Sequence, residues 1–147
     1  MNNSMKLEFL SMSENESFAR AAIAAFVSQL DPTVDDLEDI RTAVSEAVTN
    51  AIVHGYSDSM GFVCIACSYA ADTVVVSVSD SGRGISDISL ARTPLYTGTK
   101  NQERSGLGFT VMETFMDSVD VESAPRKGTT VIMRKKLAVC IQEAEIG

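Results

Sequence analysis

The stretch SEAVTNAIVHGY (residues 45–56) carries two patterns that pull against each other. Its Ala, Val and Ile positions predict a helix with a buried face, yet Glu46, Asn50 and His54 recur every fourth residue. Polar side chains at that spacing share one helical face. Buried without partners, each would cost roughly 1–3 kcal/mol, so this face either stays wet or meets something. Upstream, Thr33-x-x-Asp36 predicts a capping box that opens the helix, and Leu37, Ile40, Val44, Ala47, Val48 and Ala51 supply its apolar side. Gly55 is expected to close it as a C-terminal cap.

Around this helix the rest of the chain falls into short elements. Met5, Leu7 and Phe9 alternate with Lys6 and Glu8, the period of a half-buried strand. Ser13-x-x-Glu16 is a second capping box, predicting a helix whose stripe is Phe18, Ala22, Ile23, Phe26 and Leu30, stopped at Asp31-Pro32. Downstream, residues 62–69 and 73–79 are extended segments joined by a short connection, an antiparallel hairpin. A long unpatterned segment, residues 86–105, predicts a functional loop. Then come a helix entered through glycines and two closing strands around APRKG. Strand, two helices, two strands, loop, helix and two strands imply an α+β two-layer sandwich. We expect a mixed, mostly antiparallel sheet with helices on one face. One domain should span residues 1–147, with a lid at about 86–105 and a tail from 138 that frays.

Composition narrows the function. With 45% hydrophobic and 22% charged residues the chain is of ordinary globular type. No apolar run approaches a membrane span and the N-terminus MNNSMKLEFL lacks a signal-peptide core, so a cytoplasmic protein with no membrane partner is expected. The sequon at Asn15 then carries no meaning. A net charge of −8 argues against direct binding of nucleic acid, which needs a basic face. Cys64 and Cys67 invite a zinc or redox reading, but strand residues three apart point to opposite faces roughly 10 Å apart, too far for a disulfide. With Cys140 alone and His54 the single histidine, buried small hydrophobes are the better account.

Three glycine clusters follow in order. Asp80-x-Gly82-x-Gly84 ends an apolar strand, Gly106-x-Gly108 opens a helix, and GTT (residues 128–130) enters the last strand. A strand-end carboxylate can accept the exocyclic amine of a purine, while adjacent glycines let the ring approach the backbone. Amide groups at a helix start suit phosphate. Glu46 and Asn50 then have a candidate task at the phosphates, Asn50 offering an oxygen to Mg²⁺ and Glu46 taking a proton from a nucleophile.

At these residues the chain resembles the GHKL superfamily of ATP-binding domains, whose fold is the Bergerat fold. EAVTNAIVHGY is similar to its N box, and DSGRGI, RSGLGF and GTT to its three glycine boxes, in family order from about Glu46 to Thr130. More narrowly, the NESFAR helix, the N box and the chain length resemble the anti-sigma-factor serine kinases, the sporulation anti-sigma-F type among them. The resemblance implies ATP with Mg²⁺, a homodimer, sequestration of a sigma factor, and phosphorylation of a serine on an anti-anti-sigma protein. It also implies Glu46 as general base, Asn50 as magnesium ligand, and Asp80 as adenine reader beside Gly82 and Gly84. Thr130 would share the adenine contact, and Arg104, or Lys100, would reach the phosphates from the lid beside Gly106 and Gly108. Arg20 would contact a partner, although on sequence alone it is equally a solvated charge. His54 is better placed as a structural helix-end residue than as a catalyst.

Two other classes compete: a nucleotide-dependent binding module without phosphoryl transfer, and a histidine-kinase-type ATP domain. Glu46 argues against the first, and the lack of a phosphoacceptor histidine outside the N box argues against the second. A clamp ATPase like those of the gyrase or chaperone families would need further domains.

Overall fold

The computed structural model describes residues 2–56, 59–85 and 104–138. The elements run β1 (Asn2–Leu10), α1 (Glu14–Val27), a 3₁₀ turn (Ser28–Leu30), α2 (Val34–Asn50), a π-helical turn (Ala51–Gly55), β2 (Phe62–Ala70), β3 (Thr73–Asp80), α3 (Arg104–Phe115), β4 (Ser118–Ser123) and β5 (Thr129–Lys136). The strands form one sheet in the order β1-β2-β3-β5-β4. Every described pairing is antiparallel, so the expected α+β sandwich forms on an antiparallel sheet rather than a mixed one.

Strand alternation sorts the sheet into two faces. Phe9, Val63, Ile65, Cys67, Tyr69, Val74, Val76, Val78, Val119, Val131 and Met133 are buried beneath the helices. The residues between them, among them Cys64, Ser77, Ser79, Thr130 and Ile132, are half exposed on the other side. Cys64 and Cys67 are free thiols on opposite faces, and burial pushes the Cys67 pKa to about 12. The helical layer closes through Ile23, Phe26 and Val27 of α1, Ile40, Val44 and Val48 of α2, and Phe109 and Met112 of α3. Phe26 meets Tyr69 of the sheet, with ring centroids 5.2 Å apart.

Local chemistry meets expectation at Thr33 and departs from it at three places, Ser13, Phe18 and Gly55. Thr33 does cap α2, its Oγ1 accepting from the Asp36 N–H at 3.1 Å. Ser13 does not cap α1: it is itself in helical conformation with no side-chain cap bond. The Glu16 carboxylate that would complete the box accepts instead from Ser45 Oγ at 2.7 Å and lies 3.7 Å from Arg20 Nη1. Phe18, expected in the core stripe, is 52% exposed, while Ala19 and Val27 are buried in its place. α1 ends through the 3₁₀ turn into Asp31 at φ 51°, a left-handed residue just before Pro32. Finally, Gly55 is not a left-handed cap: the glycines with positive φ among the described residues are Gly84 and Gly128. The chain leaves α2 by a wider π turn, a geometry that recurs at functional sites.

Of the expected lid at 86–105, residues 86–103 lie outside the described residues, and its last two open α3. The expected tail lies outside them from residue 139.

Candidate functional site

The C-terminal half of α2 supplies the first part of the site. Asn50 projects its amide between α2 and α3, where both Nδ2 and Oδ1 are buried and have no hydrogen-bond partner among the described residues. α3 comes close here because residue 108 is glycine. A Cβ on Gly108 would lie 3.1 Å from Asn50 Nδ2, 3.3 Å from Asn50 Oδ1 and 3.4 Å from Glu46 Oε2. Glu46, Asn50 and Gly108 are thus brought together. Gly106 sits in the first turn of α3, whose leading amides have no intrahelical acceptor, as does Arg104 at its first residue. Gly108 is a turn further in, where its N–H belongs to the helix and its missing side chain is what the packing uses.

The end of β3 supplies the second part. Asp80 Oδ1 accepts from the Gly82 N–H at 2.9 Å, and the Thr129 N–H also donates to this carboxylate. Burial pushes the Asp80 pKa up, and these two backbone bonds hold it down in part. Three glycines make the pocket tight. A Cβ on Gly82 would fall on the Gly55 carbonyl oxygen, and one on Gly128 would fall on the Asp80 carbonyl oxygen. One on Gly55 would lie 2.8 Å from Asp80 Cγ, 2.8 Å from Oδ1 and 2.9 Å from Oδ2. Gly84, at φ 75°, turns the chain against Ala124.

Short bonds tie this loop to its neighbours. The Arg83 N–H donates to Gly55 O at 2.9 Å and the Ser81 N–H to Tyr56 Oη at 2.7 Å. Tyr56 Oη donates in turn to Phe62 O at 2.7 Å. Ser123 Oγ accepts from the Ile85 N–H at 2.7 Å and donates to Gly128 O at 2.9 Å. The turn after α2 and the loop after β3 therefore form one body, which joins the Glu46–Asn50 end of the site to the Asp80 end.

Thr130 is placed differently from the sequence expectation. It pairs with Ser79 and, by strand alternation from the buried Val131, its side chain points to the face away from the helices. Thr129, paired with Asp80, is the threonine on the Asp80 side. Two adjacent threonines at a strand start leave this choice open until the register is known. Gly55 and Tyr56 were also missed as site residues, although both stand in the stretch whose polar face pointed here.

A magnesium ion fits this donor set only in part from the protein. Among the described residues no group of three or more His, Cys, Asp or Glu could hold a metal. Asn50 Oδ1 offers one hard oxygen without a partner, which suits a cation that takes its remaining ligands from phosphates and water.

Comparison with known proteins decides the family. Residues 11–135 match the profile of the histidine kinase-like ATPase domain. The chain belongs to this family, in its anti-sigma F factor branch. It is 59% identical over 133 residues to the anti-sigma F factor of Clostridium kluyveri, an alignment covering 90% of this chain and 94% of that one. It is 56% identical to the anti-sigma F factor of Clostridium perfringens strain SM101, over 93% of this chain and 99% of the relative. Among solved structures, the RsbU and RsbW domains of a Mycobacterium tuberculosis protein superpose with TM-score 0.68 at 20% identity, over 92% of this chain and 32% of that one. The catalytic domain of the histidine kinase ThkA superposes with TM-score 0.53 at 16% identity, over 90% and 96%. At such identities these two likenesses speak for the fold alone. The ATPase-domain family makes this an ATP-binding fold. Among the described residues no helix is long and apolar enough to cross a membrane.

Proposed function

We propose that this chain is an anti-sigma factor that is also an ATP-dependent serine protein kinase. It sequesters a sporulation sigma factor and phosphorylates a serine of the anti-anti-sigma protein that opposes it. The anti-sigma part is supported by the names of relatives at 53–59% identity. The chemical part is carried by one observation: the buried, unpartnered amide of Asn50, one turn from Glu46 and under Gly108. A protein that only stored nucleotide as a structural prop would have no need of a carboxylate beside that amide.

In this reading Asp80 accepts the adenine amine, with Thr129 rather than Thr130 beside it, while Gly82 and Gly84 let the base reach the backbone. Arg104, Gly106 and the first amides of α3 would meet the phosphates, and Asn50 Oδ1 would hold Mg²⁺. When bound, that ion would neutralise phosphate charge. Glu46 accepts the proton of the substrate serine as its Oγ bonds to the γ-phosphorus. The bond from that phosphorus to the bridging oxygen breaks, and ADP leaves with the electron pair. Arg20, on the outer part of α1, contacts a protein partner. The protein acts as a cytoplasmic homodimer, and its net charge of −8 supports the absence of direct nucleic-acid contact.

The test is transfer of label from γ-labelled ATP to the purified antagonist, followed by phosphoamino-acid analysis. Phosphoserine supports the reading. Acid-labile phosphohistidine would move the protein to the histidine-kinase class, and nucleotide-dependent sigma binding without transfer would leave it a binding module.

A further inference from the structure

The reason residue 55 is glycine is not backbone conformation. Its φ is not left-handed, and the π turn it ends could accept a side chain as far as the backbone is concerned. The space is what is missing. A Cβ at residue 55 would sit within 2.9 Å of all three terminal atoms of the Asp80 side chain, closer than real Cβ atoms come. That side chain has little freedom to give way. It is short, its Oδ1 is held by the Gly82 N–H at 2.9 Å, and the Thr129 N–H donates to the same carboxylate. Backing away as a loop is equally blocked, because the Gly55 carbonyl already touches Gly82 and accepts from the Arg83 N–H at 2.9 Å.

We propose that Gly55 is a specificity-determining positioning residue, whose bare Cα lets the Asp80 carboxylate stand where it reads the 6-amino group of a purine. This rests on the reading of Asp80 as the base acceptor. A methyl group at residue 55 must rotate the carboxylate off its two backbone donors and away from the base. An amine bound there loses its acceptor, while a 6-keto purine, which the carboxylate repels, loses an opponent. The effect therefore appears in the ratio of the two affinities, a quantity that loss of stability alone does not change. Tyr56 acts on the same loop from the other side, since its hydroxyl holds the N–H of Ser81, the residue after Asp80, at 2.7 Å.

The experiment is calorimetric titration of the full chain with Mg·ATP and with Mg·GTP, for wild type, Gly55→Ala and Tyr56→Phe, alongside thermal unfolding of each. Wild type should prefer ATP strongly. Gly55→Ala should cut the ATP-over-GTP ratio roughly 10- to 100-fold, mostly through weaker ATP binding. Tyr56→Phe, which removes one oxygen atom, should lower the same ratio by a smaller factor. A folded Gly55→Ala protein with the wild-type ratio would overturn the proposal while leaving Asp80 as the reader. Should Gly55→Ala not fold, an unchanged ratio in Tyr56→Phe would overturn it. A wild type that binds ATP and GTP equally would instead remove the Asp80 reading itself.

Discussion

At the N-terminal end of α2, Lys135 of β5 is only 9% exposed yet fully engaged. Its Nζ donates to Phe115 O, the last residue of α3, at 2.8 Å, and lies 3.4 Å from Asp39 Oδ2 and 3.9 Å from Asp36 Oδ1. Asp36 Oδ2 also accepts from the Ala138 N–H at 2.6 Å, and Thr33 caps the helix start. At the C-terminal end of the same helix, Asn50 buries two polar atoms with no partner among the described residues. A few residues on, the Asp80 carboxylate is pressed against Gly55. An unmet buried polar group costs about 1–3 kcal/mol, and native folds carry few of them. One end of α2 is therefore built for stability, and the other holds unmet capacity of the kind a ligand can satisfy.

Four changes can break or sharpen this contrast. The largest effect is expected at Glu46. Glu46→Gln should lower phosphoryl transfer roughly 10²- to 10⁴-fold, while its unfolding free energy stays within about 0.5 kcal/mol of wild type. Single-turnover transfer and urea denaturation measure the two halves, and near-normal transfer would remove Glu46 as the base. Lys135→Met should do the reverse. With the cation gone, Asp36 and Asp39 lose their partner and the α3 terminus its donor, a loss of about 3 kcal/mol by the scale of broken buried pairs. Transfer by the folded fraction should stay close to wild type. Unchanged stability would mean that the satisfied end is not the stabilising one.

Asn50→Leu tests the contrast by sign. Replacing two unpartnered atoms by an apolar group of similar size should raise the stability of the nucleotide-free protein by about 1 kcal/mol. The same change should abolish the magnesium-dependent part of ATP affinity. Denaturation without nucleotide and titration across magnesium concentrations separate the effects, and a less stable variant would show that the amide has a structural task.

The smallest effect is a pH dependence. Burial raises the Asp80 pKa above the ordinary 3.8, against the pull of the Gly82 and Thr129 N–H groups. The folded state then holds this proton more firmly than the unfolded one, so ionised Asp80 is a cost at neutral pH. Stability from this group returns as pH falls from the raised value to 3.8. Asp80→Asn should be more stable than wild type at neutral pH, with the gap closing toward acid. A gap that stays constant with pH would show that Asp80 titrates alike in both states.

Much of the frame was legible because it depends on neighbours along the chain. The apolar positions Ile40, Val44, Ala47 and Val48 share a helical face by period alone, and all four are buried on α2. The hairpin of β2 and β3 follows from two extended runs and a short turn, closed by Ala71 at φ 54°. The order of Asp80 and the glycine clusters raised the expectation of a nucleotide site, and the structure brings Asp80 together with Gly55, Gly82 and Gly128. Where expectation and structure part, a distant residue has intervened. Ser13 fails as a cap because its own backbone is helical, and Glu16, the other half of the box, is drawn to Ser45, 29 positions further on. Phe18 has the right period for the core, but the contacts of α1 with α2 and the sheet favour Ala19 and Ile23.

By itself the sequence determined which segments become helices and strands, that the sheet has one face to bury, and which polar residues of α2 are lined up together. Those are consequences of side-chain period and backbone propensity, both local. Only the tertiary structure decided that Thr129 and not Thr130 stands beside Asp80, that Gly55 is glycine for space and not for conformation, and that Lys135 is buried between two helix ends. Each depends on strand register and on the approach of segments distant in the chain, where a fraction of an ångström decides contact and no periodicity in the sequence records the distance.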